Sequence, residues 1–301
     1  MSKILVTGAS GFLGSVISRT LFEMQHSLTT IGISDTDDFY CDLATSIPNL
    51  KSDFDWIIHV AGKAHVVPKN AKEIADFFRV NLEGTKNLLS GIEQSGKLPL
   101  SIVFISTVAV YGVEFGTNIT EEFPLLGTSP YAQSKIQAEE YLKSWCSKNN
   151  VILGILRPSL IADKNPPGNL GAMIKGIKTR KYFRIGNGLA KKSVLMAEDL
   201  ARIIPKLAEV GGVYNLCDNH HPSFAELEEL IAKQLNKKIP RSIPYGVAKS
   251  LALVGDLIGN KFLINSSKLE KITKSLTFSN EKAKRDLGLK PLDVLQNFKI
   301  I

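Results

Sequence analysis

The sequence has only three cysteines, and no two of them lie close enough together to form a recognisable pair. Cys41, Cys146 and Cys217 are scattered over 301 residues. This usage is typical of reduced, structural thiols in a cytoplasmic protein and gives no basis for a disulfide framework. The histidines also lack the spacing of metal ligands, so we expect no metal site.

Long apolar runs are absent as well. No stretch approaches the roughly 18 consecutive apolar residues that a membrane-spanning helix requires. Residues 1–6 lead directly into a predicted strand and have neither the length nor the flanking residues of a signal peptide. We therefore expect a cytoplasmic protein without a membrane partner.

Basic residues outnumber acidic ones, with 37 lysines and arginines against 29 acids and a formal net charge of +8. Such a balance admits an anionic ligand or a nucleic acid. The sequence lacks, however, a basic stripe interleaved with aromatic residues and any known nucleic-acid motif. A solvated, lysine-rich surface is the favoured interpretation, and we expect no nucleic-acid partner.

Short apolar segments alternate with amphipathic segments over the first half of the chain. This alternation predicts an α/β fold with a doubly wound parallel sheet. Helical patterns cover residues 74–94 and 129–147. The predicted strands are residues 3–7, 28–33, 56–61, 101–107 and 151–156.

The pattern changes after residue 158, where loops rich in Gly, Pro and Asn alternate with helices. We expect residues 1–160 to form the first domain, with parts of 190–218 contributing to it. Residues 161–301 are expected to form mainly a smaller lobe over the carboxyl edge of the sheet.

Glycines recur at every third position between the first strand and the first helix, at Gly8, Gly11 and Gly14. Such a turn brings the backbone close to a pyrophosphate and directs free N–H groups at the helix start towards it. Glycine turns also join strands to helices without any ligand. The strand before and the amphipathic helix after this turn favour cofactor binding.

Tyr131 and Lys135 lie four positions apart in a predicted helix, so both side chains project from one face. Ser129 is a suitable N-cap and Pro130 suits the first helical position. A nearby ammonium and the positive end of a helix both favour a phenolate. The pair therefore predicts a tyrosine that acts in general acid–base catalysis, although an ordinary amphipathic helix can carry the same spacing.

Together the glycines, the strand end at 106–112 and the Tyr131/Lys135 pair resemble the extended short-chain dehydrogenase/reductases. More narrowly, they resemble the NAD-dependent epimerase/dehydratase family, whose members act on nucleotide sugars. The resemblance spans nearly the whole chain and implies a Rossmann sheet with a smaller C-terminal substrate lobe. Further segments similar to family motifs are residues 59–62, 80–89, 157–158, 198–201 and 278–291.

The resemblance implies that hydride moves between a sugar carbon and a nicotinamide while a proton joins or leaves the sugar oxygen. It assigns the proton exchange to Tyr131. It assigns Lys135 to holding the nicotinamide ribose and to lowering the pKa of the tyrosine. Thr107 is expected to hydrogen-bond the same sugar oxygen, with Ser106 as the alternative.

The implied cofactor is NAD, with NADP left open. Members that use NAD carry an acid at the end of the second strand, which binds the adenosine ribose. Ser34 occupies that place here and Asp35 follows it, while no arginine stands ready for a 2′-phosphate. The predicted cofactor contacts are Gly8, Ser10, Gly11, Phe12, Leu13, Gly14, Ser34, Asp35, Asp42, Leu43, Val60, Ala61, Gly62, Lys135, Arg157 and Pro158.

On the substrate side, Asn169 resembles a family asparagine at a helix start, and Lys192 stands where the family usually has an arginine. A lysine there lacks the bidentate fork of arginine. Residues 271–276 resemble a subgroup that acts on UDP-N-acetyl sugars and their 4-keto derivatives. The predicted substrate contacts are Ser106, Thr107, Tyr131, Asn169 and Lys192.

These features favour a nucleotide-sugar 4-epimerase of the UDP-N-acetylhexosamine type. A reductase of a UDP- or dTDP-4-keto-6-deoxy sugar is the alternative within the family. A non-catalytic dinucleotide sensor is the alternative outside enzymes, disfavoured because the chain retains Tyr131 and Lys135. The family also implies a homodimer formed through helices near residues 80–95 and 131–148.

Overall fold

The computed structural model describes residues 1–258 and 265–300, and these form an α/β fold as predicted. The strands in that range are β1 (Lys3–Thr7), β2 (Ser27–Gly32), β3 (Phe39–Tyr40), β4 (Trp56–His59), β5 (Ser101–Ile105), β6 (Gly116–Ile119), β7 (Ile152–Pro158), β8 (Leu160–Ala162), β9 (Arg184–Ile185), β10 (Val194–Met196), β11 (Gly212–Leu216), β12 (Ser242–Ile243) and β13 (Leu276–Phe278). The helices are α1 (Phe12–Glu23), α2 (Ala71–Phe78), α3 (Gly84–Gln94), α4 (Pro130–Asn149), α5 (Gly168–Lys178), α6 (Ala197–Val210), α7 (Phe224–Gln234), α8 (Tyr245–Ile258), α9 (Ser266–Thr273), α10 (Glu281–Leu287) and α11 (Val294–Asn297).

Seven parallel strands form the central sheet, in the order β11-β7-β5-β4-β1-β2-β3. One face of this sheet packs against α1 and α6, and the other packs against α3 and α4. Because helices cover both faces, β5 is buried along its whole length, which explains its continuous apolar sequence. The strand order reverses between β1 and β4. Folds of this kind bind their ligands in the crevice at such a reversal, beyond the carboxyl ends of the strands.

The second half of the chain builds a separate core around α5, α7 and α11, to which Leu170, Leu227 and Val294 contribute. Short strand pairs join this lobe together, namely β8 with β10, β9 with β12 and β6 with β13. Two elements return to the first core: α6 packs on α1, and β11 pairs with β7. Ala283 and Leu287 of α10 also pack in the first core.

The helix expected over residues 74–94 is interrupted. A π-helical turn, Arg79–Glu83, separates α2 from α3. Asn81 lies in this turn, where its amide nitrogen donates to the Ser134 hydroxyl at 2.9 Å and to the Lys63 carbonyl at 3.1 Å. Its side-chain oxygen accepts from the Lys63 N–H at 2.7 Å. The irregular turn therefore ties the loop after β4 to α4, where Tyr131 lies.

Candidate active site

The loop after β1 approaches the loop after β4 so closely that glycine is required. Gly8 has a φ of +69°, and a Cβ there would lie 2.7 Å from the Ala61 Cα atom. A Cβ on Gly14 would lie 2.0 Å from the Gly8 carbonyl oxygen, so glycine lets α1 begin against this loop. The N–H of Gly11 donates to the same oxygen at 3.1 Å.

The start of α1 is open to an anion. Gly11 is the N-cap and carries no side chain that could accept from the N–H groups of the first turn. Ser10 and Gly11 are exposed at this point. The predicted turn residues thus lie together at the strand-order reversal, and their glycine geometry and uncapped helix start fit the diphosphate of a dinucleotide.

A buried chain of hydrogen bonds fixes the ends of β1 and β4. The Thr85 hydroxyl donates to a backbone carbonyl at 2.7 Å, so it must accept from Nε2–H of His59, 2.9 Å away. Nδ1 of His59 then accepts from the Thr7 hydroxyl at 2.7 Å, and that hydroxyl accepts from the Ala61 N–H at 3.0 Å. Burial lowers the pKa of His59 to about 3, which keeps the imidazole neutral. His59 is therefore a structural residue beside the cofactor crevice.

Tyr131 lies in the first turn of α4, as the sequence predicts. The Ser129 hydroxyl accepts from the Ala132 N–H at 3.1 Å, which caps the helix immediately before Pro130. Thr107 caps a 3-10 turn, where its hydroxyl oxygen accepts from the Ala109 N–H at 3.1 Å. The hydroxyl proton of Thr107 remains to donate, and this side chain lies close enough to the phenol of Tyr131 to affect the pKa of that phenol. The structure therefore brings the two predicted catalytic hydroxyls together.

The expected lowering of the pKa of Tyr131 is wrong for this structure. Burial raises the pKa of the phenol, and the neighbouring Thr107 hydroxyl opposes that rise only in part. The Phe77 ring lies beside the phenol, with ring centroids 6.1 Å apart. Such apolar surroundings favour the neutral form. The phenol therefore rests protonated and is a proton donor at neutral pH.

Lys135 is buried next to the loop after β4, with 4% of its surface exposed. Its ammonium donates to the Ile105 carbonyl at 2.8 Å and lies 4.5 Å from the centre of the Phe104 ring. A Cβ on Gly62 would lie only 3.1 Å from the Lys135 Nζ atom. Burial lowers the pKa of Lys135 to about 8, against the opposing effect of the Glu139 carboxylate. The ammonium of Lys135 thus lies next to Gly62, which is predicted to contact the cofactor.

Two predicted ligand contacts need correction, because their side chains belong to a buried network. The Ser106 hydroxyl donates to Glu139 Oε1 at 2.5 Å, and Arg157 Nη2 donates to Glu139 Oε2 at 2.6 Å. Arg157 Nη1 also donates to the Tyr111 hydroxyl at 3.1 Å, which in turn donates to Asn215 Oδ1 at 2.6 Å. Ser106 is 3% exposed, as is Arg157. Their side chains hold β5, β7 and α4 together rather than facing a ligand.

The acid at the end of β2 is Asp37, which sequence reasoning missed. Asp35, the predicted residue, is exposed, and the Ser34 hydroxyl bonds Thr36. The Asp37 carboxylate instead accepts from the Ser34 N–H at 3.0 Å and lies 2.4 Å from where a Cβ on Gly32 would be. A tight turn returns the chain to the strand end, so Asp37 rather than Asp35 lies against the end of β2. The contact of Asp35 with a cofactor stays a prediction.

The remaining predicted cofactor residues stand at or after the ends of β3, β4 and β7. Asp42 Oδ1 accepts from the Ala44 N–H at 3.0 Å, and the Leu43 carbonyl accepts from Asn87 of α3 at 2.7 Å. Val60 is partly buried after β4, and Pro158 ends β7. Their contacts with a ligand stay predictions.

The two substrate contacts predicted in the second lobe differ in exposure, because Asn169 is exposed and Lys192 is partly buried. Asn169 is exposed in the first turn of α5. The Lys192 ammonium donates to the Lys274 carbonyl at 3.1 Å, and burial lowers its pKa to about 8 against the attraction of Glu114.

Two cavities of about 290 and 400 Å³ lie beside α5 near Ile300, and Tyr131 lines neither of them. Over residues 1–258 and 265–300 no cluster of three or more His, Cys, Asp or Glu side chains could hold a metal.

Comparison with known proteins identifies the family of this chain. Residues 4–217 match the model of the NAD dependent epimerase/dehydratase family. The chain belongs to this family. This epimerase/dehydratase-family enzyme is 29% identical to an N-acetyl-α-D-glucosaminyl-diphospho-ditrans,octacis-undecaprenol 4-epimerase from Escherichia coli O157:H7, over 93% of this chain and 88% of that protein.

Two further proteins show how broad the family is. A GDP-6-deoxy-D-mannose reductase from Pseudomonas aeruginosa is 27% identical over 76% of this chain and 79% of its own length. Among solved structures, a UDP-glucose 4-epimerase from Thermotoga maritima with UDP-glucose matches at a TM-score of 0.76 and 19% identity. The match covers 99% of this chain and 96% of that one, and it confirms the fold of this epimerase/dehydratase-family enzyme.

The corrected role of Arg157 can be tested by stability. We expect Arg157→Met to lower the free energy of unfolding by about 3–5 kcal/mol, because it leaves the Glu139 carboxylate buried without its guanidinium. Urea unfolding measures this loss. Adding Glu139→Leu to that variant should recover part of it. A stable Arg157→Met variant with weakened dinucleotide binding would instead show that Arg157 is a ligand residue.

The buried cation gives a second, pH-dependent prediction. Because the pKa of Lys135 falls from 10.5 to about 8 on folding, the unfolded chain binds more protons between these values, and stability rises with pH across this window. Lys135→Met removes the free-energy cost of burying this charged ammonium. We expect it to raise the free energy of unfolding near pH 7 by up to about 3 kcal/mol, with a smaller gain near pH 10.

Urea unfolding at both pH values measures this difference. Lys148→Met, at an exposed position of the same helix, is the control. The difference in its free energy of unfolding from that of the wild type should be the same at both pH values. A Lys135→Met variant less stable than the wild type near pH 7 would contradict the assigned pKa direction.

Proposed function

We propose that this chain is an NAD(P)-dependent 4-epimerase of an N-acetylhexosamine carried on a diphosphate, with a UDP-N-acetylhexosamine as its simplest substrate. The observation that carries the proposal is that the Thr107 side chain lies beside the phenol of Tyr131, with the buried cation of Lys135 one turn further along the same helix. The Escherichia coli relative supports the choice of sugar and carbon, because its name specifies an N-acetylglucosaminyl diphosphate and position 4.

The residues of the chain supply the proton chemistry of such a reaction. A bound nicotinamide supplies the hydride acceptor and donor for the sugar carbon. Tyr131 exchanges the proton of the C4 oxygen, and Thr107 orients that oxygen through its hydroxyl. In the opening oxidation the phenolate of Tyr131 accepts the proton of the C4 hydroxyl, and the phenol so formed returns that proton to the oxygen in the closing step. Because burial raises the pKa of Tyr131, the phenol must first lose its own proton, and the neighbouring Lys135 ammonium is the charge that would favour this loss. Lys135 holds the nicotinamide ribose from behind Gly62.

A 4-keto-sugar reductase remains the second candidate. The Pseudomonas aeruginosa relative supports it, since its name gives a reductase of a deoxy sugar. An epimerase regenerates its nicotinamide within each turnover, whereas a reductase consumes reduced cofactor stoichiometrically. Loss of NADPH absorbance on addition of a UDP-4-keto-6-deoxy sugar would therefore favour the reductase. We also infer a cytoplasmic homodimer that forms through α3 and α4.

NAD is the cofactor that the residues at the end of β2 favour. The Asp37 carboxylate beside Gly32 is the acid available to the adenosine ribose hydroxyls, and it would repel a 2′-phosphate. We expect Asp37→Asn to weaken NAD binding about tenfold and to weaken NADP binding less or not at all. Fluorescence titration with NADH and NADPH measures both affinities, and Asp35→Asn is the matched control. Equal effects of the two variants on these affinities would exclude Asp37 as the residue that binds the adenosine ribose.

The catalytic proposal rests on the phenol of Tyr131. We expect Tyr131→Phe to lower turnover by about 10²–10⁴-fold, the usual contribution of a general acid–base group, while NADH affinity stays unchanged. Nuclear magnetic resonance of the sugar product measures the epimerisation of UDP-N-acetylglucosamine. Tyr141→Phe, at a more exposed position on the same helix, should retain full activity. Undiminished turnover of Tyr131→Phe would exclude the proposed role.

A further inference from the structure

Helix α8 exposes a stripe of large apolar side chains. The stripe follows the spacing i, i+4, i+7 and i+11, which places its members on one face of the helix. Each of the four side chains is between 42% and 58% exposed. They are Val247, Leu251, Val254 and Ile258.

The buried face of the same helix carries small residues instead. Ala248 and Ala252 pack against Leu269 of α9, with Ile185 and Ile243 alongside. An ordinary surface helix buries its large apolar residues and exposes polar ones. In α8 this arrangement is reversed, because alanines face the protein while leucine, valine and isoleucine face outwards. Such an exposed apolar patch marks an interaction surface.

Charge around α8 identifies the kind of surface that it contacts. Residues 233–274 contain nine lysines and arginines and only two acids, so they carry seven of the eight net positive charges of the chain. Lys238, Arg241, Lys249 and Lys271 are exposed in this segment. The partner is therefore an anionic surface that also accepts apolar side chains. A second copy of the chain is disfavoured, because it would bring two strongly basic segments together.

We propose that α8 docks this protein on the anionic surface of a lipid bilayer. An amphipathic helix lies in the headgroup region with its apolar face towards the acyl chains, and nearby lysines and arginines add attraction to anionic lipids. The 14 residues of α8 are fewer than the roughly 20 that a span requires. No helix in the described residues is long and apolar enough to cross a membrane. The sequence-based expectation of no membrane partner considered only spans and did not address such a helix.

Docking through α8 would place the substrate lobe at the bilayer. Lys192 donates to the carbonyl of Lys274, which directly follows α9, and α9 packs against α8. The lysine predicted to bind a diphosphate thus lies one helix away from the apolar stripe. This step rests on the proposed function, and it implies that the enzyme can reach sugar diphosphates carried on a membrane lipid. The docking itself does not depend on that function.

Sedimentation of the full chain with lipid vesicles tests the docking. We expect at least tenfold stronger binding to vesicles of equal parts phosphatidylglycerol and phosphatidylethanolamine than to phosphatidylcholine vesicles. Binding should weaken as ionic strength rises from about 0.1 M to about 0.5 M. The double variant Leu251→Glu/Val254→Glu should lose at least tenfold in vesicle affinity while its thermal melting stays unchanged, because both side chains are exposed.

A matched control replaces two exposed leucines elsewhere, Leu98→Glu/Leu100→Glu, and should bind vesicles as the wild type does. Tyr131→Phe should also dock normally, which separates failure of the docking from failure of the proposed activity. Absence of wild-type binding to anionic vesicles would overturn the proposal. Equal loss of binding in both leucine variants, or an α8-dependent dimer that does not bind vesicles, would overturn it as well.

Discussion

A buried ammonium governs the electrostatics of this site. Lys135 is almost completely removed from water, and the Ile105 carbonyl and the Phe104 ring stabilise its ammonium. Its charge adds to the effect of burial in keeping His59 neutral, while the Glu139 carboxylate, one turn further along α4, favours its protonated form. Glu139 in turn is held by Ser106 and the guanidinium beside it. The cation and the Glu139 carboxylate thus stabilise one another on α4, the helix that also carries Tyr131.

The sheet topology gives this network its position. The strand order reverses between β1 and β4, and the loops that follow these strands meet where Gly8 contacts Ala61. The π-helical turn at Asn81 connects the second of these loops to α4. Because α4 also carries Tyr131 and Lys135, the turn joins the loop after β4 to the helix of the candidate catalytic residues.

Sequence reasoning succeeded where local rules apply and failed where tertiary contacts decide. The start of α4 follows from Ser129 and Pro130, and the glycine spacing follows from the geometry of one turn. The place of Asp37 depends on a turn that folds back to Gly32, which a count along the chain cannot show. The raised pKa of Tyr131 depends on which side chains bury it. The reversed amphipathicity of α8 likewise becomes visible only once its alanines are seen to face the protein.

The central claim is that Tyr131 and its neighbours support a reversible oxidation at sugar C4. Incubation of the purified chain with UDP-N-acetylglucosamine and NAD in heavy water tests it most directly, with mass spectrometry of the product. In such a reaction the hydrogen on C4 leaves and returns as hydride, so it never exchanges with the solvent. We predict the galacto-configured 4-epimer without deuterium at C4. Deuterium at C4, or no epimer at all, would contradict this account.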